Sequence, residues 1–164
     1  MKVLIAGSAG QLGRALQATA PANVTVIAPP EVDFDICDPE AVARVVAAAA
    51  PTLVIHAAAY TAVDKAETEA AIAQRVNVNA VGLLASAARN AGAGFVHVST
   101  DFIFDGTAHL PYPPDALPNP LGVYGRTKLE GEEGARDLHG NPLIVRTARV
   151  YAAKGANYDA TMER

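Results

Sequence analysis

Five short, predominantly apolar runs recur along the chain and constrain its fold more than any other feature. They cover residues 3–6, 24–27, 53–55, 95–98 and 143–145. Their apolar character is continuous rather than alternating, which is typical of strands covered on both faces in a parallel sheet. Helix-forming stretches of crossover length separate the runs, at residues 10–19, 39–50, 68–90 and 121–138. This alternation predicts an α/β fold with a Rossmann-like, doubly wound parallel sheet.

Three local signals refine this organisation. Asp38, Pro39 and Glu40 read as an N-cap, a first-turn proline and a first-turn acid, which together fix one helix start. Residues 105–120 carry five prolines and therefore predict a stiff loop after the fourth strand, where loops border the ligand crevice. Residues 157–164 have the pattern of the opening turns of a helix.

Composition and charge exclude several classes of function. The 164 residues are 51% apolar and carry a net charge of −4 without a cluster of Lys or Arg, so we expect one domain with neither a nucleic-acid nor a membrane partner. The single cysteine, Cys37, suits a reducing cytoplasm, and no apolar run approaches the ~20 residues of a membrane span. The histidines and acids are scattered, so the sequence predicts no metal site in this chain. We expect a soluble cytoplasmic protein.

Three glycines at spacing three, Gly7, Gly10 and Gly13, directly follow the first predicted strand. Gly7 permits a tight turn, Gly10 lets backbone N–H groups approach a pyrophosphate, and Gly13 lets the following helix pack closely on the strand. Glycines at such turns often serve packing alone. Their position at the first strand-to-helix turn of an α/β chain nevertheless favours dinucleotide binding.

The residues around this turn favour NADPH over NADH without deciding between them. The acid that commonly ends the second strand of NAD-binding proteins is absent, because Ala28 follows Ile27. Arg14 is placed to face a 2′-phosphate, although an exposed first-turn arginine is commonly only solvated. Asp35 either accepts from an adenine amino group or shapes the turn before Asp38.

Tyr124 and Lys128 are four residues apart in the last predicted helix, so their side chains share one face. A tyrosine has an ordinary pKa of about 10, and a neighbouring ammonium favours the phenolate. We therefore expect Lys128 to lower the Tyr124 pKa toward the range of an acid-base catalyst at neutral pH. Thr100 ends the fourth strand, where its hydroxyl can donate to a carbonyl oxygen held against Tyr124.

In this order, the glycine triplet, Ser99-Thr100 and Tyr124-x-x-x-Lys128 resemble the extended short-chain dehydrogenase/reductase superfamily. More specific stretches are similar to the dTDP-4-dehydrorhamnose reductase family within it. They are residues 57–67 (AAAYTAVDKAE), 99–106 (STDFIFDG) and 120–125 (PLGVYG). The similarity runs from end to end of the chain. Arg149 is a departure, because many members have a tryptophan there near the sugar nucleotide.

This resemblance implies a reductase that converts dTDP-4-dehydro-L-rhamnose to dTDP-L-rhamnose with NADPH, or alternatively NADH. It implies that Tyr124 protonates the 4-keto oxygen, that Lys128 also binds the nicotinamide ribose and that Thr100 orients the carbonyl. It places the cofactor against Gly7, Gly10, Gln11, Leu12, Gly13, Asp35, Ile36, Ala57, Ala58, Ala59, Tyr124 and Lys128. It places the nucleotide-sugar substrate against Val63, Asp64, Thr100, Asp101, Phe102 and Tyr124.

The resemblance also implies an organisation larger than this chain. Residues 1–164 would form the NAD(P)-binding Rossmann domain, and the C-terminal sugar-nucleotide domain would be absent. Family members form homodimers and can bind Mg²⁺ at the dimer interface through positions beyond residue 164.

Several alternatives stay open on the sequence alone. Asp64 is equally well explained as a helix cap, whereas His56 and His97 are predicted to be core imidazoles rather than catalysts. A non-catalytic dinucleotide-binding module is a second hypothesis, although such a module has no chemical need for Tyr124 and Lys128. A nucleotide-sugar epimerase or dehydratase is a third, and the run at residues 63–67 favours the reductase over it.

Overall fold

Five parallel strands form one sheet in the computed structural model, which describes residues 1–151. The strands are β1 (Lys2–Ala6), β2 (Thr25–Ile27), β3 (Leu53–His56), β4 (Gly94–Thr100) and β5 (Leu143–Thr147). Their order is β2-β1-β3-β4-β5, so the chain changes direction across the sheet between β1 and β3. This arrangement confirms the predicted Rossmann-like fold, and all five predicted strands are present. The predicted helix start within residues 157–164 lies outside the described residues.

Helices and short helical turns connect the strands. They are α1 (Gln11–Ala18), α2 (Pro39–Ala49), α3 (Val63–Ala66), α4 (Ala70–Gln74), a π-helical turn (Arg75–Asn79), α5 (Ala80–Asn90), a 3₁₀ turn (Asp101–Ile103) and α6 (Val123–His139). The predicted cap of α2 is confirmed, because the Asp38 carboxylate accepts from the Glu40 N–H at 3.0 Å. Within residues 1–151, none of the helices combines the length and apolar composition needed to cross a bilayer.

The predicted continuous helix over residues 68–90 is wrong in detail, because a π-helical turn separates α4 from α5. Asn77 lies in this turn, fully buried, and its side-chain amide donates to the Tyr60 carbonyl and the Thr127 hydroxyl. Its backbone carbonyl meets α6 at Gly131, where a Cβ would approach to 2.2 Å. These tertiary contacts accompany the wider turn, a feature that helical periodicity does not reveal.

The hydrophobic core lies between the sheet and its flanking helices. Its members include Leu4 of β1, Val54 of β3, Phe95 of β4 and Leu84 of α5, each at most 2% exposed. Burial of one such side chain contributes about 1.5–3 kcal/mol. This packing fixes the carboxyl ends of the strands relative to one another.

Residues 104–122 connect the 3₁₀ turn to α6 without a helix or strand, as the prolines predicted. Asp105 organises this proline-rich loop. Its carboxylate accepts from the Thr107 N–H at 3.0 Å, the Tyr112 hydroxyl at 2.8 Å and the Asn119 amide at 2.9 Å. These hydrogen bonds hold the pKa of Asp105 well below its usual range. The ionised Asp105 side chain therefore links three positions of the loop.

Candidate active site

The turn after β1 depends on glycine at two positions for packing. Gly7 has a φ of +89°, and a Cβ there would lie 2.6 Å from the Ala58 nitrogen. A Cβ on Gly13 would lie 2.1 Å from the Gly7 carbonyl oxygen, so α1 packs directly on the turn. Gly10 differs, because the nearest contact of its Cβ would be 3.4 Å. Its missing side chain keeps the adjoining cavity open.

A cavity of about 700 Å³ lies at the carboxyl ends of β1, β3 and β4, where the strand order reverses. Open α/β sheets bind ligands at this position. Most of the predicted cofactor residues lie on its wall, namely Gly7, Gly10, Gln11, Leu12, Asp35, Ile36, Ala57, Ala58, Ala59, Tyr124 and Lys128. Gly13 is behind the wall, in contact with Gly7.

Asp35 both shapes a turn and lines this cavity. Its carboxylate accepts from the Cys37 N–H at 2.8 Å and lies 3.6 Å from the Arg75 guanidinium, while its carbonyl accepts from the Asp38 N–H at 3.1 Å. Arg14 is not on the cavity wall, and its guanidinium donates to the Ala9 carbonyl. Glu31, which received no role in the sequence analysis, lies on the wall.

Thr100, Tyr124 and Lys128 also lie on the wall of this cavity. Lys128 is 1% exposed, and its Nζ donates to the Val98 carbonyl at 2.7 Å. Thr100 ends β4, with its Oγ1 accepting from the Phe102 N–H at 3.2 Å. Tyr124 is buried in the first turn of α6, with its ring edge against Phe102 at a centroid distance of 5.5 Å. The three polar side chains therefore share one partly water-excluded space.

The pKa of Tyr124 moves opposite to the sequence-based expectation. Burial raises it, the nearby Asp101 carboxylate adds to this, and the Thr100 hydroxyl acts in the other direction. Burial also lowers the pKa of Lys128 to about 8, against the charge of Glu132. The expected lowering of the Tyr124 pKa by Lys128 is wrong because both groups are buried and the ammonium is directed at the Val98 carbonyl.

A second cavity, of about 400 Å³, has Tyr124 and Phe102 on its wall. Val63, Asp101, Phe102 and Tyr124, four of the predicted substrate residues, lie on its wall, while Thr100 lies on the wall of the first cavity. The proline-rich loop contributes Phe104, Asp105, Gly106 and Tyr112. Tyr124 lies on the wall of both cavities, so it stands between the two predicted ligand sites.

Asp64 is on neither cavity wall and is exposed to solvent. Its substrate role stays a prediction, whereas its alternative role as a helix cap is wrong, because Ala62 is the N-cap of α3 and Asp64 lies inside the first turn. An acid in the first turn of a helix interacts favourably with the helix dipole, which accounts for its position.

Two buried polar residues beside the site were missed from the sequence. Asn77 accepts from the Tyr60 N–H at 2.9 Å and donates to α6, and its alanine-rich surroundings carry no sign of this. Glu132 is completely buried, and its sequence signal is the spacing Tyr124, Lys128, Glu132, which puts all three on one face of α6.

His56 and His97 form a buried pair at the centre of the sheet, in agreement with their predicted core positions. Their Nδ1 atoms are 3.0 Å apart and their rings are stacked, whereas neither Nε2 has a hydrogen-bond partner within the described residues. Burial lowers the pKa of His56 to about 3 and depresses that of His97 still further. Both imidazoles are therefore neutral near pH 7.

A glycine-rich turn at the switch point, with a threonine, a tyrosine and a lysine around the same cavity, defines a short-chain dehydrogenase/reductase type of Rossmann domain. All 164 residues match the family described as RmlD substrate binding domain. The chain therefore belongs to that family. Among the described residues, no group of three or more His, Cys, Asp and Glu side chains is placed to hold a metal ion.

Relatives with assigned activities agree with this membership. The chain is 43% identical, over its full length, to a dTDP-4-dehydrorhamnose reductase of Burkholderia thailandensis, and covers 55% of that protein. A solved dTDP-4-dehydrorhamnose reductase from Clostridium acetobutylicum superposes with a TM-score of 0.95 at 42% identity, over 99% of this chain and 58% of its own. The enzyme from Bacillus anthracis, solved in complex with NADP, also gives 0.95, at 35% identity and the same coverage. The chain thus spans little more than half the length of these relatives.

Proposed function

We propose that this chain forms the dinucleotide-binding and catalytic part of a dTDP-4-dehydrorhamnose reductase. The reaction is the reduction of the C4 ketone of dTDP-4-dehydro-L-rhamnose to dTDP-L-rhamnose by NADPH or NADH. The observation that carries the proposal is Tyr124, which borders both cavities beside Thr100 and Lys128. A non-catalytic dinucleotide-binding module has no chemical need for this arrangement.

The first cavity fits a nicotinamide dinucleotide. Gly10 leaves room for a pyrophosphate against the backbone at the start of α1, and the small side chains of Ala57, Ala58 and Ala59 allow close approach along the wall. Lys128 would bind the nicotinamide ribose through its ammonium. When bound, the reduced nicotinamide supplies the hydride for the ketone carbon. Because the Bacillus anthracis relative was solved in complex with NADP, we propose NADPH rather than NADH as the preferred cofactor.

The chain's own residues would handle the proton and the orientation of the ketone. The raised pKa of Tyr124 keeps its phenol protonated at neutral pH, so it holds the proton that the ketone oxygen requires. Thr100 would orient that oxygen through its hydroxyl. A positioned acid of this kind contributes about 10²- to 10⁴-fold in rate.

The second cavity would take the sugar nucleotide, with Val63, Asp101 and Phe102 as contacts from this chain. Gly13 supports the cofactor turn from behind rather than by contact. Asp64 is proposed for the substrate side only through the resemblance, since it lies on neither wall. The homodimer and its interface Mg²⁺ also stay predictions from the resemblance.

The test combines a titration with NADPH and NADH and an assay of NADPH oxidation with dTDP-4-dehydro-L-rhamnose. Tyr124→Phe should lower kcat at least about 100-fold because the acid is lost, while the dissociation constant for NADPH stays within about twofold. Tyr112→Phe is the matched control. It removes the same hydroxyl group from a tyrosine that lies on the wall of the second cavity and not of the first. Full activity of Tyr124→Phe would exclude Tyr124 as the acid. NADPH binding without turnover in the parent chain would mean a competent dinucleotide-binding part that needs the remainder of the relatives' length for turnover, because this chain covers 55% of the Burkholderia thailandensis relative. Failure of both would favour a non-catalytic fragment.

A further inference from the structure

Glu132 is a fully buried carboxylate that the proposed reaction does not use. It lies one turn after Lys128 on the same face of α6. Arg146 of β5 donates to it twice, from Nε at 2.9 Å and from Nη2 at 2.7 Å, and Arg136 donates from Nη2 at 3.1 Å. A buried charge costs several kcal/mol unless it is paired in this way. The pairing therefore fixes the position of both Glu132 and Arg146.

Arg146 also reaches in the opposite direction, to the proline-rich loop. Its Nη1 donates to the Pro114 carbonyl at 2.8 Å, and its guanidinium carbon lies 5.4 Å from the centre of the Phe104 ring. The Phe104 ring stacks on Tyr112 at 4.2 Å. Phe104 and Tyr112 are part of the second cavity's wall. One guanidinium thus connects α6, β5 and that wall.

We propose that Glu132 and Arg146 are positioning residues that hold the proline-rich loop against α6 and so set the shape of the second cavity. The proposal rests on the proposed function for the identity of the ligand in that cavity. The prolines make the loop stiff. Contacts at Pro114 and Phe104 therefore position the part of the second cavity's wall that the loop forms. The carboxylate orients the guanidinium, whose planar fork bonds to Glu132 and Pro114 at once.

Arg136 provides a matched control within the same ion cluster. It shares Glu132 as its partner, but its side chain is 47% exposed, and in the described part of the chain it makes no hydrogen bond or ion pair with residues 104–114. Arg146→Met and Arg136→Met therefore remove the same charge from the same carboxylate. Only the first removes the contacts to Pro114 and Phe104.

The experiment uses the full chain and measures amide hydrogen exchange over residues 104–121, NADPH affinity, and KM and kcat for the sugar nucleotide. Arg146→Met should speed exchange in the loop at least about tenfold, because local opening becomes easier. It should raise KM about tenfold while kcat and the NADPH dissociation constant stay within about twofold. Arg136→Met should leave all four quantities within about twofold of the parent.

A second pair of variants separates positioning from stability. Glu132→Gln combined with Arg146→Met removes both charges, so it should regain thermal stability relative to Arg146→Met while keeping the fast loop exchange and the high KM. Arg146→Lys should have a KM between those of the parent and Arg146→Met, because lysine keeps the positive charge but lacks the planar guanidinium. If Arg146→Met does not fold, these two variants carry the same comparison.

Parent-like loop exchange in Arg146→Met, or in the double variant if the single one does not fold, would overturn the proposal. A rise in KM and in loop amide exchange in Arg136→Met as large as that in Arg146→Met would overturn the proposal as well. Failure of the proposed function would appear differently, as a parent chain that neither binds NADPH nor reduces the ketone. Loop exchange does not depend on turnover, so it decides the positioning role even then.

Discussion

The two cavities that Tyr124 borders are built in different ways. The wall of the first includes the glycine-rich turn and the small side chains of Ala57, Ala58 and Ala59, and the turn is closely packed where Gly7 meets Gly13 and Ala58. The second is walled by aromatic rings and by a loop that Asp105 and Arg146 tie down through hydrogen bonds. We therefore expect the first cavity to be damaged by substitutions that enlarge a side chain, and the second by substitutions that remove a contact.

Adding one methyl group at Gly13 should have the largest effect on the fold. The Cβ of Gly13→Ala would lie 2.1 Å from the Gly7 carbonyl oxygen, so the turn and α1 must separate. We expect the free energy of unfolding to fall by about 3 kcal/mol, the upper range for overpacking. Chemical denaturation measures this change.

Gly10→Ala and Gly134→Ala are the matched comparisons for that variant. A Cβ on Gly10 has ordinary space, so the fold should survive, while NADPH affinity should fall because Gly10 lies on the cavity wall where the pyrophosphate is proposed to bind. Gly134 lies in α6 with no atom within 4 Å of its Cβ, and alanine there should add about 0.5–1 kcal/mol of stability. A Gly13→Ala variant as stable as the parent would contradict the close-packed turn.

The charge of Lys128 should make the first cavity sensitive to pH. Since its pKa is about 8 in the folded chain, the ammonium is lost as the pH rises through that value. NADPH affinity should therefore fall about tenfold between pH 7 and pH 9. Titrations by fluorescence at several pH values measure the change.

Stability should move in the opposite direction over part of this range. Between about pH 8 and the ordinary lysine pKa of 10.5, the unfolded chain holds a proton that the folded chain has lost, so stability rises with pH. Lys128→Met should bind weakly at every pH, whereas Lys65→Met, which changes an exposed lysine, should keep the parent profile. An NADPH affinity that does not vary from pH 7 to pH 9 would refute the role given to the ammonium.

Removing one hydroxyl from the second cavity should have the smallest effect. Tyr112→Phe loses the 2.8 Å hydrogen bond to Asp105 but keeps the stacking on Phe104. One such bond to a charged group contributes about 1.5–3 kcal/mol, and Thr107 and Asn119 still hold the carboxylate. We expect KM for the sugar nucleotide to rise a few-fold with NADPH affinity unchanged, and a change in NADPH affinity instead would show that the cavities are not independent.

Much of the fold was predictable because strand burial leaves a strong pattern. Five continuous apolar runs correspond to the five strands, and the cap at Asp38 is a purely local signal. The π-helical turn at residues 75–79, which separates α4 from α5, was not predictable, because it accompanies contacts between Asn77 and residues as distant as Thr127. Helical spacing describes only neighbours along the chain.

The sequence predicted most of the residues that line the candidate site, but not the direction in which their pKa values are shifted. The spacing of Tyr124 and Lys128 places both side chains on one face of α6, and both line the first cavity. The depth of burial is invisible in a sequence, so the direction of the Tyr124 pKa was wrong. Glu132 was missed for the same reason, because its spacing from Lys128 places it on the same face of α6 but does not show that the carboxylate is buried.

The buried pair of His56 and His97 has a consequence for the whole molecule. An unfolded chain takes up protons on these imidazoles as the pH falls below about 6.5, whereas the folded sheet accepts none until far lower values. Hydrogen ions are therefore a ligand that binds selectively to the unfolded chain. Mild acid should therefore favour unfolding through two imidazoles at the centre of the sheet, which take no part in the proposed reaction.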